Sequence, residues 1–209
     1  MSVQTTYQQY LDREEYNLLD YERNDEILES FKEKNPKLSD VDDRQLIAYL
    51  TDENVDWPTQ YFVADLLYLY EEFSPQLMEA MLNTGVYFRD PSFNRIFLRP
   101  CMRSSRQSEA MNWLVEKFQG GNMLERIGIS NLYYWLKAEP VERTSLRNAI
   151  ATRAKNTDNL LELYFYQLAI GKIKRRLKRI PKDADTLIKK IKGNSEYENF
   201  VTEKLGWEI

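Results

Sequence analysis

Apolar positions along this chain recur at steps of three and four, the period of a helix, in one block after another. Within 57–73, Phe62, Leu66, Leu69 and Phe73 fall on one helical face, and Val63, Leu67 and Tyr70 on a neighbouring one. Within 122–138, Leu124, Gly128, Leu132 and Trp135 form a stripe, with Ile127 and Tyr134 beside it. Within 157–170, Leu161, Phe165 and Leu168 do the same, surrounded by Leu160, Leu163 and Tyr166. A helix that is apolar over most of its circumference is buried between neighbours. Gly128 inside such a stripe predicts close approach of an adjacent helix, since glycine otherwise weakens a helix by about 1 kcal/mol.

The punctuation between blocks fits helix ends. Pro58 sits near the start of a block, where a missing N–H is harmless. Ser74-Pro75 reads as an N-cap followed by proline at the first helical position, and Gly85 as the close of that short helix. Gly120-Gly121 ends the block 105–118, and Asn122 opens the next. Pro140 separates 122–138 from 141–155, and Asn156-Thr157-Asp158 offers caps for the block beginning at 157. These signals predict antiparallel pairs: 42–51 with 57–73, 75–84 with 91–99, 105–118 with 122–138, 141–155 with 157–180, and 183–192 with 195–205. Two less regular helices within 5–35 are expected to cap the array.

The blocks resemble one another. Val63-Ala64-Asp65-Leu66-Leu67-Tyr68 is similar to Ile129-Ser130-Asn131-Leu132-Tyr133-Tyr134, and Tyr166-Gln167-Leu168-Ala169 continues the theme. Leu66, Leu98, Leu132, Leu168 and Leu205 succeed one another at steps of 32, 34, 36 and 37 residues. A two-helix unit at this spacing must stack on its neighbours to bury its apolar face. The blocks 56–67 and 125–135 resemble second helices of HEAT repeats, in which a small residue precedes an apolar pair near the helix middle. The resemblance covers about 40–205. The chain departs from it where large aromatics stand at positions expected to hold Ala or Leu, and where Arg99-Pro100-Cys101 is expected to interrupt a helix. The resemblance implies an all-α, right-handed α-solenoid of stacked antiparallel helix pairs, related to the HEAT and armadillo proteins. It implies a single helical-repeat domain over 1–209, with 1–40 as an irregular cap and 41–206 as about five pairs, and a scaffold or binding role.

Composition narrows the class further. A chain of 209 residues with 43% hydrophobic residues has enough apolar material for a sizeable core. Cys101 is alone, so no intramolecular disulfide forms, which fits a reducing compartment. The polar opening MSVQTTYQQYLDREEY is not expected to act as a leader, and no apolar run reaches the roughly 18 residues that a membrane span needs. A complete, cytoplasmic chain is the expectation. The net charge of −4 hides an asymmetry. Residues 1–80 hold 19 acids and 6 bases, whereas the rest hold 14 acids and 23 bases. Such polarity arises when exposed helix faces differ in sign, or when one end steers a partner.

Several chemistries are excluded. The chain has no histidine, which removes imidazole bases, Ser-His-Asp and Cys-His nucleophile systems, and His-containing zinc sites. Neither phosphate-cradling glycine motif is present. The adjacent acids Glu14–Glu15, Asp42–Asp43 and Glu71–Glu72 point in different directions on a helix. Cys101, near Arg99 and Arg103, is a reactive thiol if exposed and a small core residue if buried. No catalytic, metal-binding or cofactor-binding residue is predicted.

Two features point to binding. Lys172, Lys174, Arg175, Arg176, Lys178, Arg179 and Lys182 are interleaved with Ile170, Ile173, Leu177 and Ile180, predicting a basic amphipathic extension of the block from 157. It suits a packed helix with a wet basic face, an acidic protein surface, nucleic-acid phosphates or an anionic membrane surface. Aromatic clusters at Trp57, Tyr61, Phe62, Tyr68 and Tyr70, and at Tyr133, Tyr134 and Trp135, fit core packing, with Tyr61 and Tyr68 off the main stripe as surface candidates. The expected binding residues are therefore Lys174, Arg175, Lys178, Arg179, Tyr61 and Tyr68. The expected function is a non-catalytic scaffold, adaptor or inhibitor, including an immunity-type antagonist, whose partner is a protein with an acidic patch. The alternative is a HEAT-fold nucleic-acid-binding protein akin to DNA glycosylases, with Asp65, Trp57 and Tyr61 in its groove, against which the sequence pI near 5.2 argues. A homo-oligomer joined through oppositely charged ends is a third arrangement.

Overall fold

A computed structural model describes residues 2–11, 26–52, 54–137, 141–171 and 180–209. Among these residues every regular element is helical and no strand occurs. The chain begins with α1 (Val3–Leu11), α2 (Glu26–Lys34), α3 (Asp40–Thr51) and α4 (Trp57–Tyr68). It continues through α5 (Pro75–Tyr87), α6 (Arg95–Arg103), α7 (Gln107–Gly120) and α8 (Met123–Leu136). It ends with α9 (Thr144–Asn156), α10 (Leu160–Ile170), α11 (Ala184–Ile191), α12 (Ser195–Asn199) and a π-turn over Phe200–Lys204.

Capping side chains start most of these helices. Ser74 accepts from the Leu77 N–H, so Ser74-Pro75 caps α5 as its sequence predicts. Asp56 caps α4 with Pro58 in its first turn, and Asn122 caps α8 in a reciprocal box with Glu125. Each such cap satisfies N–H groups that have no partner within the helix.

Several boundaries differ from expectation. The helix from Pro75 does not close at Gly85 but runs to Tyr87, because Val86 is itself a core side chain. Helix α4 stops at Tyr68 instead of reaching 73; the Leu69 and Tyr70 N–H groups reach back only three residues, to Leu66 and Leu67. Pro100 lies inside α6 without ending it. The loss of one helical hydrogen bond is offset there by burial of Ile96, Phe97, Leu98, Cys101 and Met102 on either side. Helix α10 ends at Ile170, where Gly171 takes φ +80° and donates to the Gln167 carbonyl. The cap of α10 is Asn159 rather than one of 156–158. The expected separator Pro140 lies outside the described residues.

The chain divides into two compact units. Met1–Thr84 with Ile96–Ala110 form the first, and Gly85–Arg95 with Met111–Ile209 the second. In the first, α1 packs on α2, α3 and α4, and α3 on α4. Its core gathers Val3, Phe31, Leu46, Phe62, Leu66 and Phe97, and the rings of Tyr7, Tyr10 and Tyr49 surround Phe62. In the second, α10 packs on α8 and α9. Phe118 meets Tyr166 with ring centroids 5.6 Å apart, and Trp207 returns from the C-terminus onto Tyr164 and Phe165. The close approach expected at Gly128 is present: a Cβ there would overlap the Val86 carbonyl, near the end of α5.

Candidate functional site

The basic residues Lys174, Arg175, Lys178 and Arg179 lie outside the described residues. The two candidate tyrosines part company. Tyr61 is only 6% exposed, with its ring 5.3 Å from Trp57 and 6.0 Å from Phe97 of α6. It is a core side chain, not a surface one, because α4 is apolar over most of its circumference and α6 covers this face. Tyr68, at the last turn of α4, is 37% exposed.

Tyr68 does not stand alone. The Arg103 guanidinium lies 4.1 Å from its ring centroid, and that of Arg99 lies 5.7 Å away. The two arginines are one helical turn apart on α6, whose other residues are mostly buried, so they form its polar edge. A guanidinium over an aromatic face is held by the ring quadrupole, worth about 0.5–1 kcal/mol at an exposed site. Two bonds to backbone carbonyls fix the frame: the Ser105 N–H donates to the Glu71 carbonyl at 2.8 Å, and the Arg106 side-chain Nε to the Phe73 carbonyl at 2.7 Å. Arg106 also pairs with Glu109 at 2.6 Å, whereas Arg103 makes no ion pair within 4.0 Å among the described residues. The sequence connected Arg99 and Arg103 with Cys101 rather than with Tyr68. Their one-turn spacing beside an apolar face was the available signal.

Cys101 is fully buried, with Sγ 3.6 Å from the Phe97 carbonyl and 3.9 Å from that of Met78. Burial pushes its thiol well above the ordinary range, so the neighbouring arginines do not activate it. The groove expected around Asp65 also takes another form: Asp65 accepts a 2.7 Å hydrogen bond from Tyr10, and Tyr61 is buried.

The second unit carries two enclosed carboxylates. Glu162 is 1% exposed and accepts from Arg126 Nε at 2.6 Å, Thr157 Oγ1 at 2.9 Å and Arg153 Nε at 3.3 Å. Glu125 borders a shallow cleft of about 470 Å³ that Trp113, Glu116, Lys117, Gly120 and Gly121 also line. It meets Lys117 Nζ at 2.7 Å and accepts from Tyr87 Oη and the Asn122 N–H, each at 2.7 Å. Burial pushes its acid up, but these donors more than offset that and hold it at about 2. A carboxylate so held stays ionised and is a poor proton carrier. Its depressed native value stabilises the fold above the ordinary value of 4.5 and ceases to do so as pH falls toward 2. Acid titration of unfolding free energy should therefore show a loss on the order of 1–2 kcal/mol in that window, allowing for solvent screening at Lys117. Glu125→Gln should remove this component of the acid slope, and an unchanged slope would count against the contact.

Among the described residues no group of three acidic or cysteine side chains is placed to hold a metal ion, and no helix is long and apolar enough to cross a membrane. Comparison with protein-family models, with curated proteins and with solved structures found no match.

Proposed function

We propose that this chain is a non-catalytic protein-binding module, a scaffold or an inhibitor of the immunity type, and that it offers the Tyr68–Arg99–Arg103 surface to its partner. The observation that carries this reading is the exposed Tyr68 ring with the Arg103 guanidinium 4.1 Å from its centroid. Tyrosine and arginine are the side chains that, with tryptophan, most often dominate interface energetics. The partially exposed ring offers apolar area, while the guanidinium gives directional donors. The repeated helix pairs are read in the same way, as stacked units of a HEAT-type solenoid whose helix edges carry such surfaces. The enclosed carboxylates Glu125 and Glu162 fit a structural role better than a catalytic one, because ordered donors already occupy their oxygens.

The reading is tested by isolating the full chain from native lysate with its stoichiometric partner and comparing it with a Tyr68→Ala, Arg103→Ala double variant. The double variant should retain the wild-type melting temperature and lose about 10–100-fold in affinity. Unchanged affinity would move the interface elsewhere. Failure to recover any stoichiometric partner would weigh against a binding role.

A further inference from the structure

We infer that the Tyr68–Arg103 surface takes a carboxylate from an acidic segment of the partner protein, with Arg103 as the group that reads it; this rests on the binding role proposed above. An exposed arginine commonly takes a nearby carboxylate, as Arg106 has taken Glu109. Arg103 instead lies over the Tyr68 ring, and among the described residues it donates no hydrogen bond and makes no ion pair. The ring holds the guanidinium plane in place while leaving its N–H donors uncommitted. Less side-chain entropy is then lost when a carboxylate arrives than for a freely rotating arginine. The Tyr68 hydroxyl also makes no hydrogen bond among the described residues, so it can donate to the same incoming group.

The Arg106–Glu109 pair next to Arg103 bears on the kind of anion. A nucleic-acid backbone presents a continuous row of phosphates and needs a continuous basic face, whereas Arg106, three residues beyond Arg103, is already paired with Glu109. A local carboxylate on a protein segment meets the guanidinium without bringing a long row of charge against Glu109. A planar guanidinium fits a carboxylate through two parallel N–H bonds. Aromatic or aliphatic side chains next to that carboxylate would lie against Tyr68. The surface thus reads a short acidic stretch, not a polyanion.

The test places photoreactive benzoylphenylalanine at position 105, an exposed residue two places beyond Arg103, in the otherwise intact chain. After cross-linking in native lysate, the attached peptide is identified by mass spectrometry. An acidic protein peptide is expected, with the yield falling at least tenfold in an Arg103→Glu background while the melting temperature is unchanged. Reversing the partner's cross-linked acid to arginine should then restore the yield against Arg103→Glu. Failure of that reversal to restore binding overturns the inference and leaves the binding role standing. Attachment to a neutral or basic peptide, to nucleic acid or to a second copy of this chain overturns it as well. Absence of any cross-linked product, together with unchanged partner affinity in the Tyr68→Ala, Arg103→Ala variant, removes the surface altogether and the inference with it.

Discussion

Glu162→Ala is expected to lower the unfolding free energy by about 3–5 kcal/mol, measured by urea denaturation at neutral pH. The carboxylate is 1% exposed and accepts from two arginines and the Thr157 hydroxyl. Its removal leaves the Arg126 guanidinium, whose side chain is only 15% exposed, without its counter-charge. An uncompensated buried charge costs more than the intact pair contributes, because the desolvation of Arg126 remains after the attraction has gone. The 2.9 Å bond from the Thr157 hydroxyl is lost as well. Glu162→Gln separates charge from volume. It keeps the side-chain size and one acceptor oxygen, but turns an NH2 group toward donors, so it should recover only part of the loss. Arg153 is more exposed, so Arg153→Ala should be much milder than Arg126→Ala. Equal losses for the two arginine variants, or a loss below about 1 kcal/mol for Glu162→Ala, would mean that Arg126 is solvated in the native state.

Gly128→Ala is the second large effect, expected at about 2 kcal/mol net and a fall of roughly 4–8 °C in melting temperature. A methyl group there overlaps the Val86 carbonyl and comes within 3.0 Å of Val86 Cγ1. The carbonyl belongs to the backbone and cannot rotate away, so α8 or the end of α5 must shift. Overpacking costs about 1–3 kcal/mol and sometimes more, and a clash with backbone that cannot rotate belongs at the upper end, about 3 kcal/mol. Alanine's better helix propensity returns only about 1 kcal/mol of that. Gly120→Ala is the matched control, since an added Cβ at Gly120 meets nothing within 4 Å. It should be neutral or slightly stabilising. Similar responses at the two positions would show that α8 is free to move away from Val86.

These two positions mark what was legible in the sequence. Gly128 announced its contact because glycine inside an apolar helical stripe is unfavourable unless something needs the space. Ser74 and Asn122 announced helix starts because a cap acts within three residues of its own position. Glu162 gave no such sign: its partner Arg126 lies 36 residues away, and an ion pair between helices has no local spacing rule. Tyr61 and Tyr68 are separated by two helical turns and carry the same side chain. Phe97 packs on Tyr61 whereas Arg103 lies beside Tyr68, and only the placement of α6 distinguishes them. Pro100 reads as a helix breaker, yet the apolar residues around it keep α6 continuous in the core. All-helical character was therefore readable from periodicity and caps. The exposed edge on which the proposed interface rests depended on tertiary packing.

The tryptophans are unevenly shared between the two units. Trp57 is the one tryptophan of the first, while Trp113, Trp135 and Trp207 belong to the second. Trp57 is also 45% exposed, whereas Trp207 lies against Tyr164 and Phe165. Intrinsic fluorescence can consequently be assigned to one unit or the other by a single substitution. Emission of a Trp57→Phe chain reports the second unit by itself, and its difference from wild type reports the first. Superimposable melting curves from the two signals would describe one cooperative transition, and displaced curves would describe two. The packing thus supplies, without any added dye, a way to see whether the halves of this chain unfold together or in turn.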